Sequence, residues 1–211
     1  MLKNFKIKAP FFEIGPKSYL YGDDILDLAK AADAASAKYG VDIIFTCPVV
    51  DIRRVAEATS HIHVFAPHMD PIPVGRGTAD TLAEALVAAG AEGTQLNHVE
   101  KPLDFETLAA TIARAKEVGL MTMVCADSMA EASKITTLKP TCVVAEPSEL
   151  IGTGVSVGPE YVAAAFECVK SVDKDVLVLT AAGIANGQDV YNTIIAGADA
   201  TGSSSGVAKA A

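Results

Sequence analysis

The chain has 211 residues, half of them hydrophobic and only 6% aromatic, with no Trp and a formal net charge of −9. That length holds one domain with a full core of small aliphatic side chains. The acidic balance argues against nucleic acid as a partner, and no apolar run is long enough to span a bilayer, so no membrane partner is expected.

From the N-terminus, Phe11–Ile14 predicts a first strand and Asp23–Tyr39 a first helix. Val41–Thr46 reads as a strand, followed by a short helix over Ile52–Ala58. His61–Ala66 reads as the third strand, with a helix over Thr78–Ala89 and Thr78 as its N-cap. Strand Gly93–Leu96 precedes helix Phe105–Val118, strand Leu120–Cys125 precedes helix Met129–Thr136, and strand Thr141–Ala145 precedes a helix over Pro159–Val172 opened by Pro159. Strand Val176–Thr180, helix Gln188–Ala196 and strand Ala198–Ser203 complete the pattern. Short β-branched runs alternating with Ala-rich amphipathic stretches are what buried parallel strands and their crossover helices require. Eight such steps predict an α/β fold: a compact (β/α)8 barrel forming a single domain over residues 1–211, its eighth helix short or absent. A flank left under-covered in this way predicts a homo-oligomer, a dimer or a tetramer. No GxGxxG follows the first strand, which disfavours an open nucleotide-binding sheet.

No signal peptide is expected, since the N-terminal Lys residues are not followed by a long apolar stretch. Cys47, Cys125, Cys142 and Cys168 form no CxxC pair. Neither a metal nor another cofactor is expected, and free thiols fit a cytoplasmic protein.

In a barrel of this kind the chemistry sits in the loops after the strands. Lys17 follows the first strand, where an ammonium can hold a substrate oxygen; taken alone, it reads more readily as a solvated surface residue. Asn97-His98-Val99-Glu100 follows the fourth, and a neutral His there could polarise a carbonyl. Glu146-Pro147-Ser148-Glu149-Leu150-Ile151-Gly152-Thr153-Gly154 follows the sixth: a carboxylate, a stiffening Pro and two glycines suit a closing loop that carries a base. Thr180-Ala181-Ala182-Gly183 and Ser203-Ser204-Ser205-Gly206, after the seventh and eighth strands, are small enough for backbone N–H groups to approach a phosphate.

Taken together these segments resemble the triosephosphate isomerase family in its shorter archaeal form. The strand-six loop differs from that form's Glu-Pro-Pro-Glu-Leu-Ile-Gly-Thr-Gly at one position, Ser148. Asn97-His98-Val99-Glu100 resembles its Asn-His-Ser-Glu, and Ser205-Gly206-Val207-Ala208-Lys209-Ala210 its Ser-Gly-Val-Val-Lys-Ala. The resemblance implies a cofactor-independent aldose–ketose isomerase acting on a phosphorylated small sugar, dihydroxyacetone phosphate and glyceraldehyde 3-phosphate. It implies that Glu146 is the base, His98 the electrophile and Lys17 a substrate-binding cation. It further implies that Gly152, Gly183, Ser204 and Ser205 hold the phosphate, with Asn97 and Glu100 in support.

The sequence departs from the family where Gly15-Pro16-Lys17 replaces Asn-x-Lys, removing an Asn that contacts substrate. Ala181 and Ala182 precede Gly183, Ala200 replaces a Gly, Pro67 replaces a Gln, and Gly75-Arg76-Gly77-Thr78-Ala79 stands for Gly-Ser-His-Thr-Gly in a loop that reaches the neighbouring subunit in the family. Gly15 is expected to enlarge the pocket. An isomerase of a four- or five-carbon sugar phosphate is therefore the alternative reading, and a non-catalytic phosphate-binding barrel the next.

Overall fold

The computed structural model describes residues 6–210. Eight parallel strands close into a barrel in chain order: β1 (Phe11–Ile14), β2 (Ile43–Thr46), β3 (Ile62–Ala66), β4 (Gly93–Leu96), β5 (Met121–Ala126), β6 (Cys142–Ala145), β7 (Leu177–Thr180) and β8 (Ala200–Ser203), with β8 paired to β1. A helix follows each: α1 (Gly22–Tyr39), α2 (Ile52–Ala58), α3 (Ala83–Ala89), α4 (Phe105–Val118), α5 (Met129–Thr136), α6 (Pro159–Lys170), α7 (Gly187–Ile195) and α8 (Ser205–Ala208). The expected compact (β/α)8 barrel is the fold, and its eighth helix is a single turn of four residues. None of the described helices is long and apolar enough to cross a membrane.

Strand side chains alternate between two cores. Phe11, Ile44, Phe65, Met121, Met123, Val144 and Leu179 fill the barrel interior. Their neighbours Ile43, Phe45, Val64, Val124, Val143 and Val178 pack outward against Ile25, Leu108, Ile112, Ile135 and Val169 of the helices. Gly93 makes room inside: a Cβ there would lie 2.3 Å from the Phe65 ring. Helices start where side chains satisfy free N–H groups, as at Asp104, Ser128 and Asn186, and α1, α3 and α4 end on left-handed glycines.

One expected boundary is corrected. Helix α3 begins at Ala83, not at a Thr78 cap. Asp70 and Thr81 are joined twice, Asp70 N–H to the Thr81 carbonyl (3.0 Å) and Thr81 N–H to Asp70 Oδ2 (2.7 Å), so the chain from 71 to 80 is held as an exposed loop. A Thr81 carbonyl committed to the Asp70 N–H is not free to accept the Ala85 N–H that a helix extended backwards would direct at it.

Candidate active site

The C-terminal ends of the strands surround a cavity of about 630 Å³. Lys17, His98, Glu100, Glu146, Gly152, Gly183, Ser204 and Ser205 all line it, although they come from five different loops. Asn97 does not.

Glu146 directly follows β6. Its period-two phase, shared with Cys142 and Val144, turns it to the barrel interior. Burial pushes its carboxyl above the ordinary carboxylate value, while Lys17 and the Ala182 backbone N–H oppose that rise. The loop that leaves it is tied down. Asp127 Oδ1 accepts the Ser148 N–H at 2.7 Å, and Glu131 Oε2 accepts the Asp127 N–H at 2.9 Å.

His98 is set by its neighbour's backbone. The Glu100 N–H donates to His98 Nδ1 at 3.1 Å, so Nδ1 carries the lone pair and Nε2 the proton. Burial, then the nearby Lys17 ammonium, hold the imidazole below its usual range. A ring that is neutral near pH 7 and offers Nε2–H is a hydrogen-bond donor, not an acid already charged.

Lys17 adopts φ +50°, a left-handed conformation uncommon for a side-chain-bearing residue. Its ammonium donates to Glu100 Oε1 at 2.8 Å, and this hydrogen bond holds the Glu100 carboxyl below its usual range. Asn97 is a brace beneath the site. Its Nδ2 donates to the Cys125 carbonyl and to Glu131 Oε1, both at 3.0 Å, and its Oδ1 accepts the Leu103 N–H at 2.9 Å. Its amide is hydrogen-bonded to scaffold groups alone among the described residues.

The loops after β6 and β7 approach each other closely. Gly183 has φ +69°, and a Cβ on it would lie 2.0 Å from the Val155 carbonyl oxygen, so the strand-six and strand-seven loops touch through backbone. Gly152 (φ +76°) faces open space. Ser204 Oγ is buried with no partner among the described residues, and Ser204 and Ser205 stand at the start of α8, where first-turn N–H groups have no intrahelical acceptor. Among the described residues no group of three His, Cys, Asp or Glu side chains is placed to hold a metal ion.

Four residues escaped the sequence reading: Glu13, Thr46, Asp127 and Glu131. Glu13 is the informative one. It shares the inward phase of Phe11 and Gly15, lines the cavity, and has an Oε1 that is sealed from solvent without a partner. Ideal Cβ atoms at Gly15 and Gly202 would sit 2.8 Å and 2.9 Å from its carboxylate oxygens. The expectation of an enlarged pocket is thus corrected: the Glu13 carboxyl fills the space beside Gly15. The available signal was a charged residue at an inward position of a buried strand, where burial of charge is costly.

Comparison with known proteins agrees with this geometry. The family model for triosephosphate isomerase matches residues 16–209. The triosephosphate isomerase of Sulfolobus acidocaldarius is 37% identical over 97% of this chain and 90% of its own length. That of Methanocaldococcus jannaschii is 38% identical over 90% and 87%, and that of Saccharolobus solfataricus 34% identical over 97% and 91%. With near-complete coverage on both sides, a closed eight-stranded barrel and a Glu, a His and a Lys around one cavity, this chain belongs to the triosephosphate isomerase family.

Proposed function

We propose that this chain interconverts dihydroxyacetone phosphate and glyceraldehyde 3-phosphate, with Glu146, His98 and Lys17 as its catalytic residues. The base-plus-neutral-histidine pairing is the family's known scheme. Glu146 takes a proton from the carbon beside the carbonyl, and the electron pair moves onto the carbonyl oxygen, giving an enediolate. The Nε2–H of His98 and the Lys17 ammonium meet that oxygen. A proton moves between the two oxygens by way of His98, Glu146 returns its proton to the neighbouring carbon, and the carboxylate is regenerated. The phosphate rests against Gly152, Gly183, Ser204 and Ser205, through backbone N–H groups and the Ser204 hydroxyl. The loop from Pro147 to Gly158 covers the intermediate and keeps water from it.

The observation that carries this reading is the His98 tautomer. A Glu100 N–H directed at Nδ1 leaves Nε2–H as the donor, in the same cavity as a buried carboxylate. The test is turnover of glyceraldehyde 3-phosphate beside four- and five-carbon ketose phosphates, with Glu146→Gln as control. Three-carbon turnover that the control abolishes supports the reading. Turnover of longer substrates alone replaces it, and no turnover leaves a phosphate-binding barrel.

We also propose a cytoplasmic homo-oligomer, a dimer or a tetramer. Beside the one-turn α8, helix α7 exposes Tyr191 and Ile195, and the exposed 71–80 loop presents Val74. Three of the four free thiols are buried, as a reducing compartment tolerates. A stable monomer by size-exclusion chromatography with light scattering overturns the oligomer.

A further inference from the structure

Glu13 is a titratable group that the scheme above does not use. It stands on β1 at the floor of the cavity, with Phe11 below it and Gly15 above on the same face. The titratable groups facing it are Glu146 from the end of β6, Lys17 from its own loop, Cys125 of β5 and Cys142 of β6, and the Thr46 hydroxyl approaches from β2. Both Glu13 Oε1 and Thr46 Oγ1 are buried and lack a well-formed hydrogen bond among the described residues. Two positions around the carboxyl, Gly15 and Gly202, carry no side chain, and a Cβ at either would press on it. An oxygen so enclosed and unsatisfied makes the charged carboxylate costly, which favours the protonated acid, while the second oxygen, Oε2, is not sealed in this way and stands on the cavity lining where an entering molecule can meet it.

We propose that Glu13 is a further substrate-contacting residue, whose carboxyl O–H donates a hydrogen bond to an oxygen on the reacting carbons, from the space beside Gly15. Burial pushes the Glu13 carboxyl up to about 8 against the pull of the Thr46 hydroxyl, with the Glu146 charge a lesser push and Lys17 a lesser pull. Glu146 therefore ionises first and serves as base while Glu13 keeps its proton. The donor that the resemblance places at position 15 is supplied here from two residues earlier on the same strand face. No bond to carbon forms or breaks at Glu13, and its proton stays on the carboxyl throughout.

This inference rests on the isomerase reading, so its test includes a measurement that does not depend on turnover. Carbon-13 NMR of the Glu13 carboxyl, assigned with Glu13→Gln, should show ionisation near pH 8 in the free protein, and 2-phosphoglycolate should perturb that resonance on binding. Glu13→Leu should weaken 2-phosphoglycolate and lower kcat/KM about 10- to 100-fold at pH 7, and Glu13→Gln should recover most of both while losing the fall in kcat/KM above pH 8. Gly15→Asn should reduce activity by displacing the carboxyl, whereas Glu13→Ala with Gly15→Asn should be more active than Glu13→Ala alone, because the amide then supplies the missing hydrogen-bond donor, a gain that a merely structural Glu13 would not produce. A Glu13 already ionised at pH 7, or a Glu13→Leu protein that binds 2-phosphoglycolate like the parent, overturns the proposal. If the parent protein turns over no triose phosphate but the resonance and the affinities behave as stated, the isomerase reading fails and Glu13 stands as a ligand contact.

Discussion

The Glu100 backbone N–H points at Nδ1 of His98 from 3.1 Å, which makes a main-chain group the determinant of the tautomer. No substitution of the Glu100 side chain other than proline removes that bond. Glu100→Gln is therefore expected to loosen Lys17 while leaving the histidine tautomer intact, and nitrogen-15 NMR of the His98 ring checks this. His98→Gln should lower kcat by about 10²- to 10³-fold with little change in KM, the usual loss for one oxyanion donor.

The acid limb of kcat/KM follows from two shifts of opposite sign. Glu146 must be ionised, and its carboxyl lies above the usual value of 4.5; His98 must be neutral, and its imidazole lies below the usual 6.5. Activity should fall as pH drops through these two ionisations, with the His98 break lying below 6.5 and the Glu146 break above 4.5. A profile that breaks at 6.5 in the parent and loses that break in His98→Gln would contradict the burial argument.

Glu13 also makes stability depend on pH. Its folded value, about 8, lies above the unfolded value of about 4.5, so the folded chain holds the proton more tightly between them. The corresponding stability is complete below about 4.5, declines as pH rises, and is gone once pH passes about 8. Urea denaturation at pH 6 and pH 9 should show this decline in the parent and less of it in Glu13→Gln.

Gly183→Ala is expected to destabilise the protein and to slow it. A left-handed φ of +69° costs a side-chain-bearing residue about 1–3 kcal/mol, and the Val155 carbonyl must retreat to admit a methyl group. Chemical denaturation measures the first effect. The second should appear in kcat more than in binding of 2-phosphoglycolate, because the displaced segment is the strand-six loop.

Asp127→Ala should free the start of that same loop. It removes the acceptor of the Ser148 N–H, a bond worth about 1 kcal/mol net and more if the group stays dry. Faster proteolytic cleavage between residues 147 and 158, with a lower kcat and a melting temperature within a few degrees of the parent, is the expected outcome.

Much of the barrel was legible because its strands are local. Four to six apolar residues, a helix of regular period and a capping Asp or Gly declare themselves within a short window, as in β6 with α6 and α4 between Asp104 and Gly119. The boundary at Thr78 was not legible, because its determinant, Asp70, acts from eleven residues before Thr81 through a bond that only the folded loop makes.

The site divides in the same way. Sequence alone singled out Glu146, His98 and Lys17, since each follows a recognisable strand and belongs to a motif. Only the closed barrel decided what Gly15 means. A missing side chain reads as empty space in one dimension; in three, the inward phase of β1 swings Glu13 into that space, between Gly15 and Gly202 of the neighbouring strand β8. Whether a carboxyl there is a charge or a hydrogen-bond donor depends on the water it has lost and on the Glu146 carboxylate facing it, and both are fixed by strands distant in sequence.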